Sequence, residues 1–524
     1  MTMPGDVIAE PTSSNDRTLD PRARTRVIRR EETAEVTMTR PQWFWAIGLL
    51  TLLATIVLIL GAMTAAMLTV GALTLTYAGA FIFKSWLVPA SLTRTDARGA
   101  TENEQRPDDK PPAWFTSVPH QRADGSSNDG DTLPTYSILV PLHREGRVLA
   151  QLVTNLRSLD YPEDKLQVLL LLESDDDETL SVARTLDLPP GFEIIVLPNT
   201  HPRTKPKACN IGLAQATGEY CVVYDAEDHP DPDQLKKAVA AFRSLDPATV
   251  CLQAKLAYHN PNVNFLTRMG AAEYAMYFDL VLPGLASRGL PVPLGGTSNH
   301  FRTASLRDLG GWDSYNVTED IDLGMRIARA GLRVAVIDSV TWEEATSGLG
   351  NWIRQRSRWI KGHMQTYCVH MRSPRRLLRE LGPSGFVAFQ LLVVATPLML
   401  LANPLFWALT ILYLVTRASF VQTLYPTPLL YVGVVSMVVG NLGSIYFAMT
   451  GCMRARLYGN VKWVVLGSLP YWVLMSMAAW KAAYQMLVKP HYWEKTDHGF
   501  NPRVAGAMPS APSTTVESMA GAGE

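Results

Sequence analysis

The run Ser137-Ile-Leu-Val140, followed at once by Pro141-Leu-His-Arg-Glu145, sets the pattern from which the fold of this sequence can be worked out. A short apolar run that ends at polar residues is typical of a buried strand. Three more runs of this kind follow, and helical patterns lie between them. The strands are predicted at 137–140, 168–172, 194–197 and 220–224, and the helices at 147–158, 178–186, 207–216 and 233–244. This alternation predicts an α/β domain with a mostly parallel central sheet.

Polar or acidic clusters follow three of these strands, at Pro141–Glu145, Glu173–Asp177 and Asp225–Asp228. Ligands of open α/β sheets bind outside the carboxyl ends of the strands, so the clusters are expected to converge. An acidic residue after a strand is also a common helix N-cap, and each cluster alone is weak evidence. Together they favour a cation and nucleotide site. Mg²⁺ or Mn²⁺ takes few carboxylates, here Asp225 with Glu227 or Asp228, and completes its shell with phosphate oxygens and water.

Two later motifs carry candidate chemistry. Thr318-Glu319-Asp320 precedes a predicted helix, where the acids either cap the helix or supply a general base. In the helical stretch 351–362, Gln355, Arg358 and Trp359 share one face. An aromatic plane there can hold a sugar, and an arginine can stabilise a departing diphosphate. Simple interfacial anchoring remains the other interpretation of such a helix.

That anchoring interpretation applies above all to Trp352 and Arg356. Two lysines, Lys205 and Lys207, stand ahead of a predicted helix, where they can meet a diphosphate or remain ordinary solvated loop residues.

Two apolar blocks flank the domain. Between Trp43 and Val88 the only charge is Lys84, and between residues 386 and 453 it is Arg417. About 20 apolar residues span a bilayer as a helix, so the first block fits two crossings. Four crossings are favoured for the second block, because Pro397 and Pro404 would split its first stretch, although three would better suit the charges of Arg454, Arg456 and Lys462.

The expected organisation puts both ends of the chain on the cytoplasmic side. Arginines crowd the stretch before the first block, which favours a cytoplasmic tail by the positive-inside tendency. The predicted order is a tail at 1–42, two transmembrane helices at 43–88, a flexible linker at 89–133, a cytosolic domain at 134–376, about four transmembrane helices at 384–488 and a cytoplasmic tail at 489–524. The protein is therefore expected to be a multi-pass plasma-membrane protein.

Composition excludes several classes. Lys plus Arg and Asp plus Glu both number 48, and a nucleic-acid partner usually requires a basic surplus. The five cysteines are scattered and include no CxxC pair, so neither a disulfide framework nor a zinc site is expected.

The stretch 136–376 resembles the membrane-embedded family 2 glycosyltransferases of the cellulose-synthase-like and hyaluronan-synthase-like kind. The resemblance rests on PLHRE at 141–145, ESDDD at 173–177, KPKACN at 205–210, DAED at 225–228, TED at 318–320 and QRSRW at 355–359. The tail segment WEKTDHG at 493–499 is similar to a cytosolic loop of related synthases. The resemblance implies a GT-A-type nucleotide-sugar-binding domain inserted between transmembrane helices.

The same resemblance implies roles for individual residues. Asp320 would be the catalytic base, with Glu319 beside it, and Gln355, Arg358 and Trp359 would form the floor near the acceptor and the pyrophosphate. Asp225 would hold the metal. The residues expected to line the donor are Pro141, His143, Glu145, Glu173 with Asp175 as its alternate, Lys205 and Asp225.

The expected reaction is an inverting, metal-dependent sugar transfer from a nucleotide sugar, by default UDP-glucose. The preferred acceptor is a growing β-linked polysaccharide that is exported processively. Two alternatives stay open: addition of a sugar to a lipid acceptor, and an inactive transferase-like transporter or scaffold. The sequence gives no protein partner.

Overall fold

The computed structural model describes residues 26, 28–99 and 133–494. Most of the expected linker, most of the N-terminal tail before residue 28 and all of WEKTDHG beyond Glu494 lie outside these residues. The eight strands are β1 Tyr136–Leu142, β2 Leu166–Glu173, β3 Phe192–Leu197, β4 Tyr220–Val223, β5 His229–Pro230, β6 Thr249–Tyr258, β7 Asn299–Arg302 and β8 Arg333–Glu343. They form one sheet in the order β3-β2-β1-β4-β7-β6-β8-β5.

The helices of the described residues fall into a domain set and an apolar set. The domain helices are α3 Gly146–Arg157, α4 Asp177–Thr185, α5 Lys205–Gln215, α6 Gln234–Ser244, α7 Phe265–Met276, α8 Leu282–Ser287, α9 Thr303–Asp308, α10 Glu319–Arg329, α11 Leu349–His370 and α12 Pro374–Phe389. The others are α1 Arg40–Leu60, α2 Ala62–Gly99, α13 Ala395–Thr416, α14 Ser419–Leu424, α15 Thr427–Arg454 and α16 Val461–Val488. A π-helical turn, Gln390–Val394, joins α12 to α13.

The four predicted strands are β1 to β4, and their mutual pairing is parallel as expected. Their residues alternate between two cores, because both faces of the sheet are covered by helices. Ile138 and Val140 join the core under α3 and α6, whereas Leu139 joins the core under α5 and α10. The sheet as a whole is mixed, since β7 runs antiparallel to both β4 and β6.

Five helical stretches are long and apolar enough to cross a membrane: Arg40–Leu60, Ala62–Ser91, Pro374–Thr416, Thr427–Arg454 and Tyr458–Val488. The C-terminal block thus has three such stretches where the sequence favoured four. Neither proline splits the first of them. Pro397 lies directly after the π-helical turn Gln390–Val394, in the first turn of α13, and Pro404 lies inside α13.

The first apolar block is a helical hairpin. Gly61, with φ of 86°, forms the sharp turn between α1 and α2. Helix α2 continues to Gly99, past residue 89 where the linker was expected to begin, because a polar composition does not by itself end a helix.

Candidate active site

The clusters that follow β1 and β2 are tied together by hydrogen bonds. The backbone N–H of Arg144, a residue with φ of 57°, donates to Asp176, and that of Glu145 donates to Thr179 Oγ1 at 3.1 Å. Asp176 also caps α4. Pro141 lies within β1, and the Glu145 carboxylate accepts from the backbone N–H of His143 at 3.2 Å. These contacts hold the first two loops side by side at the carboxyl edge of the sheet.

The two acids proposed as alternates after β2 have different surroundings. Glu173 is buried, and its Oε2 has no hydrogen-bond partner among the residues that the structure describes. Burial raises the pKa of its carboxyl, against the nearby charge of Lys207. Asp175 is partly exposed and forms an ion pair with Arg203 at 2.5 Å. Glu173 therefore offers a buried acceptor atom without a partner in the described part of the chain, whereas Asp175 pairs with Arg203 through Oδ2.

Lys205 and Asp225 form the centre of the cleft. The Lys205 ammonium forms an ion pair with the Asp225 carboxylate and donates to the carbonyl of Gly296 at 2.7 Å. Burial alone would lower the pKa of Lys205, but Asp225 and Glu319 outweigh it, so the pKa is raised and the cation is retained. The other lysine, Lys207, instead donates to backbone carbonyls of the loop after β3.

The two candidates for a second metal ligand are distinguished by burial. Asp228 is fully buried, and its Oδ2 accepts from the backbone N–H of Asp225 at 2.7 Å and from the Thr297 hydroxyl. It therefore fixes the turn after β4. Asp225 and Glu227, two residues apart, are only partly buried.

A cation would fit the Asp225/Glu227 pair. The described residues contain no ready-made group of three or more metal-ligating side chains. Mg²⁺ and Mn²⁺ do not need one, because one or two carboxylates suffice when substrate phosphates complete the shell. The fit is thus to Asp225 and Glu227 together with a diphosphate.

Glu319 and Asp320 open α10 and face the same cleft. Asp320 Oδ2 lies 3.5 Å from the position that a Cβ on Gly296 would occupy, so it borders the loop that Lys205 contacts. Glu319 is buried and Asp320 is partly buried, and this burial raises the pKa of each carboxyl, while Lys205 and Arg358 act in the opposite direction. A carboxyl with a raised pKa is a better proton acceptor once it is ionised.

Arg358 meets these acids from the other side. It lies on α11, and its burial lowers the pKa of the guanidinium, whereas Glu319, Asp225 and Asp320 oppose that change. Arg358 thus faces both the Asp225/Glu227 pair and the two acids of α10. Its guanidinium also stacks over the ring of Trp493, at 4.7 Å from the centroid.

Of the other residues of the QRSRW motif, Gln355 and Trp359 belong to the predicted floor of the site, and Arg356 supports them. Gln355 is buried and accepts from the Thr346 hydroxyl at 3.4 Å. Trp359 stacks on Tyr274 with centroids 6.3 Å apart. Arg356 is buried, pairs with Glu273 at 2.9 Å and covers the Trp359 ring at 4.5 Å.

The anchoring interpretation of Trp352 and Arg356 is therefore wrong. Trp352, like Arg356, is buried, and its ring contacts Tyr471 of α16 with centroids 5.3 Å apart. Both residues hold the motif within the protein instead of contacting lipid.

A glycine brings the two motifs together. A Cβ on Gly362 of α11 would lie 2.2 Å from Thr318 Oγ1, so only glycine lets α11 approach the start of α10 this closely. That approach places Arg358 beside Glu319 and Asp320.

Several residues at the site were missed by sequence reasoning. Glu343, at the end of β8, is buried, and its pKa is raised first by burial and then by Asp228 and Glu227. Tyr274 donates to Glu343 at 3.4 Å while its ring stacks on Trp359, and so links the acids to the floor. Glu343 is the last residue of β8, a strand that the sequence analysis did not predict. Tyr274 lies in an ordinary apolar helix, which gave no signal for it.

Comparisons with known proteins bear on the fold of residues 134–362. The family model described as glycosyltransferase like family 2 matches residues 134–362. With the mixed sheet, the match confirms the expected GT-A-type fold class. The probable glycosyltransferase YdaM of Bacillus subtilis (strain 168) is 26% identical over 234 residues, which cover 44% of this chain and 56% of that protein.

Two further proteins are similar. A β-monoglucosyldiacylglycerol synthase of Synechocystis sp. is 27% identical over 338 residues, which cover 62% of this chain and 66% of that protein. The solved structure of a mannosyltransferase from Pyrobaculum calidifontis in complex with GDP-Man and Mn²⁺ matches with a TM-score of 0.46 and 19% identity, over 80% of this chain and 99% of that one. The matched part of this chain covers between about half and two thirds of the length of the two curated relatives, from Bacillus subtilis and Synechocystis sp..

Proposed function

We propose that this chain, whose residues 134–362 are a family 2 glycosyltransferase domain, moves one monosaccharide from a nucleotide sugar to a hydroxyl of a membrane lipid. The observation that carries the proposal is the convergence of Lys205, Asp225, Asp320 and Arg358 in one cleft. Two cations among buried acids are suited to a substrate that brings a diphosphate.

The donor would lie along the edge formed by the loops after β1 and β2. Glu173 has an unused buried oxygen with which to accept a hydrogen bond from the nucleoside. His143, Glu145 and Asp175 border the same edge. The diphosphate would then reach Lys205 and Arg358. A divalent cation held by Asp225 and Glu227 would supply further neutralisation of the leaving group.

The transfer itself would be a single displacement. The ionised carboxylate of Asp320 accepts the proton of the acceptor hydroxyl, and the hydroxyl oxygen bonds to the anomeric carbon. The bond from that carbon to the diphosphate oxygen breaks, and the nucleoside diphosphate leaves with the electron pair. Arg358 stabilises the charge that develops on it. The configuration inverts, so an α-linked donor gives a β-linked product.

A lipid acceptor is favoured over a growing polysaccharide for two reasons. The similar protein from Synechocystis sp. is named as a synthase of a monoglucosyl lipid. In addition, the floor residue Trp359 sits on α11, which packs along the apolar helix α16 and so lies next to the membrane-associated part of the chain. Processive polysaccharide synthesis, preferred from the sequence, becomes the second candidate, supported by the QRSRW motif and by the apolar helices on both sides of the domain.

The test is a product analysis with purified protein in lipid nanodiscs that contain diacylglycerol. Labelled nucleotide sugars, UDP-glucose first, are supplied with Mg²⁺ or Mn²⁺, and the label is separated into an organic-soluble fraction and a polymer fraction. We expect the label in a glycolipid that carries one β-linked sugar. We expect a chelator of divalent cations to abolish the formation of this labelled glycolipid.

The controls separate the alternatives. Nanodiscs without diacylglycerol should give little labelled lipid. Label found only in an aqueous polymer would replace the lipid acceptor with a polysaccharide. No transfer or hydrolysis of any nucleotide sugar would favour an inactive transporter or scaffold.

A further inference from the structure

The segment just ahead of the first apolar helix is held against the catalytic domain. We call residues 28–36 the strap, which ends shortly before α1 begins. Immediately before the strap, the backbone N–H of Arg26 donates to the carbonyl of Arg307 at 3.0 Å. A Cβ on Gly310, whose φ is 88°, would lie 2.8 Å from both the Arg26 carbonyl oxygen and Ile28 Cγ1. The chain therefore passes directly over this glycine at the start of the strap.

The other end of the strap is attached near the end of α11, the helix that carries QRSRW. The guanidinium of Arg372, just past α11, donates to the carbonyl of Val36. Gln42, in the first turn of α1, donates to the carbonyl of Cys368 in α11 at 2.6 Å. The strap is thus fixed to the domain at both ends, and it continues directly into α1.

Between these ends the strap contacts one buried carboxylate. The backbone N–H of Ala34 donates to Asp313 Oδ2 at 2.5 Å, and Ala34 is 0% and Asp313 2% exposed. Asp313 Oδ1 accepts from the backbone N–H of Tyr315 at 3.0 Å. One oxygen of this carboxylate therefore belongs to its own loop, and the other is bound by a segment nearly three hundred residues earlier in the chain.

The hydrogen bond from the strap favours the ionised form of Asp313. The pKa of Asp313 is raised to about 6, first by burial and then by the charge of Asp322 on α10, against the hydrogen bond from Ala34. Asp322 remains a neighbouring anion, because it forms an ion pair with Arg326 at 2.8 Å. Without the strap, a buried carboxylate beside a second carboxylate would lose a donor, and it would have to move or take up a proton.

Asp313 lies in the loop 309–318, which runs between the two halves of the active site. The Ser314 carbonyl in this loop accepts from the Thr204 hydroxyl at 2.9 Å, and Thr204 directly precedes the lysine at the centre of the cleft. The loop ends in the TED motif, which carries the proposed base. A displacement of this loop would therefore change the position of the base relative to the diphosphate site.

The loop has other attachments that do not involve the strap. Arg326 donates to the carbonyls of Leu309 and Gly311 at 2.9 and 2.7 Å. Asn210 donates to the Trp312 carbonyl at 2.7 Å and accepts from the Trp312 backbone N–H at 2.9 Å. Loss of the strap should therefore loosen the loop around Asp313 without unfolding the domain.

We propose that Asp313 is a positioning residue for sugar transfer, and that the strap holds it through the backbone N–H of Ala34. With the strap in place, Asp313 fixes the loop 309–318 and, through it, Asp320. With the strap displaced, the domain keeps its fold and binds the donor, but the base is misplaced. The first apolar helix is thereby connected to the catalytic loop. The effect on turnover rests on the proposed function, whereas the effect on the loop rests on the contacts alone.

The test removes a single N–H group from the full chain. Ala34→Pro has no backbone N–H to donate. Thr33 before it already has φ of −103° and ψ of 156°, the extended conformation that a residue preceding proline adopts. Ala34→Gly keeps the N–H and adds no atoms, so it is the matched control. Asp313→Asn weakens the same hydrogen bond from the acceptor side and nearly preserves the size of the side chain.

The four proteins and the double variant Ala34→Pro/Asp313→Asn are compared in the glycolipid assay, together with their thermal unfolding. We expect Ala34→Pro to lower kcat by about tenfold to a hundredfold, as for a misplaced catalytic group, with the donor KM changed less than about threefold. Ala34→Gly should behave as the unsubstituted protein. Asp313→Asn should also lower kcat, and the double variant should lose no more than the weaker of the two single variants, because both changes break one hydrogen bond.

Three kinetic outcomes would overturn the proposal. The first is an unchanged kcat in Ala34→Pro. The second is a loss that follows the unfolded fraction, with normal turnover per folded molecule, which would make the strap merely structural. The third is a double variant whose loss is the product of the two single losses, which would mean that Asp313 acts independently of the strap.

Hydrogen–deuterium exchange tests the loop without any need for activity. The amides of residues 309–318 should exchange faster in Ala34→Pro than in Ala34→Gly, whereas those of β1 should exchange equally in both. Equal exchange of the loop in the two variants would overturn the proposal. If the unsubstituted protein transfers no sugar, the proposed function fails, and the exchange result by itself then decides whether the strap holds the loop.

Discussion

The two sides of the cleft use charged residues in different ways. On the donor side, the charges follow strand ends, and they include the exposed pair between Asp175 and Arg203 as well as the buried carboxyl of Glu173. On the acceptor side, the charges of Asp320 and Arg358 are partly buried and are brought together by helix packing at Gly362. Interactions between buried charges are screened less by water and salt than those between exposed ones. Substitutions should therefore have graded effects that fall from the acceptor side to the donor side.

The largest effect is expected for Asp320→Asn. The amide cannot accept a proton, so turnover should fall by a factor of about 10²–10⁴, the usual range for a general base. The donor should still bind with nearly unchanged affinity, because Asp320 acts on the acceptor. Turnover and calorimetric donor binding measure the two quantities. Turnover within a few-fold of the wild type would remove Asp320 as the base.

The second largest effect should separate two arginines on the same helix. Arg358→Gln should lower turnover by about 10²–10³, since it removes a donor that stabilises the leaving charge, with little change in thermal stability. Arg356→Gln breaks a buried ion pair with Glu273 and should cost about 3–5 kcal/mol of stability.

The folded fraction of Arg356→Gln should remain active, because Arg356 supports the floor and does not face the diphosphate. Thermal unfolding in detergent and turnover per folded molecule distinguish the two. Equal losses of turnover without unfolding in both variants would contradict this division of roles.

A third prediction concerns the pH dependence of turnover. Burial raises the pKa of Asp320, and only its ionised form can accept the proton. As the pH falls below that pKa, turnover should drop about tenfold per unit, starting well above the ordinary aspartate value of about 3.9. Lys205 opposes the rise, so Lys205→Gln should move the acid limb to higher pH. A limb that stays in place in this variant would show that another group titrates.

The sequence predicted one side of this comparison better than the other. Strands β1 to β4 were found because continuous apolar runs mark strands buried on both faces. Strands β5 to β8 were missed: β5 and β7 are short and lie among polar residues, and the longer β6 and β8 are interrupted by polar residues such as Gln253, Lys255 and Asp338. TED and QRSRW were identified, but the contact of Trp493 with Arg358 depends on α16 returning the chain to the domain. The contact of Asp228 with Thr297 likewise depends on the pairing of β4 with β7, which the sequence did not predict.

The smallest effects should occur on the donor side, where Glu173→Gln and Asp175→Asn form a matched pair. Glu173 has a buried oxygen without a partner in the described part of the chain, and hydrogen bonds to charged groups contribute about 1.5–3 kcal/mol. Its variant should raise the KM for the donor at least tenfold. The Asp175–Arg203 pair is exposed, and such pairs contribute about 0.2–1 kcal/mol, so the KM of Asp175→Asn should change less than about fivefold.

Salt sharpens the distinction between these two acids. High salt should abolish the small effect of Asp175→Asn, because exposed charges are screened, and should leave that of Glu173→Gln in place. Donor KM measured in low and high salt tests both statements. A larger effect of Asp175→Asn on the donor KM that persists in high salt would exchange the roles of the two acids. Salt screens the exposed ion pair with Arg203, so a salt-independent loss would identify Asp175 as the nucleoside contact.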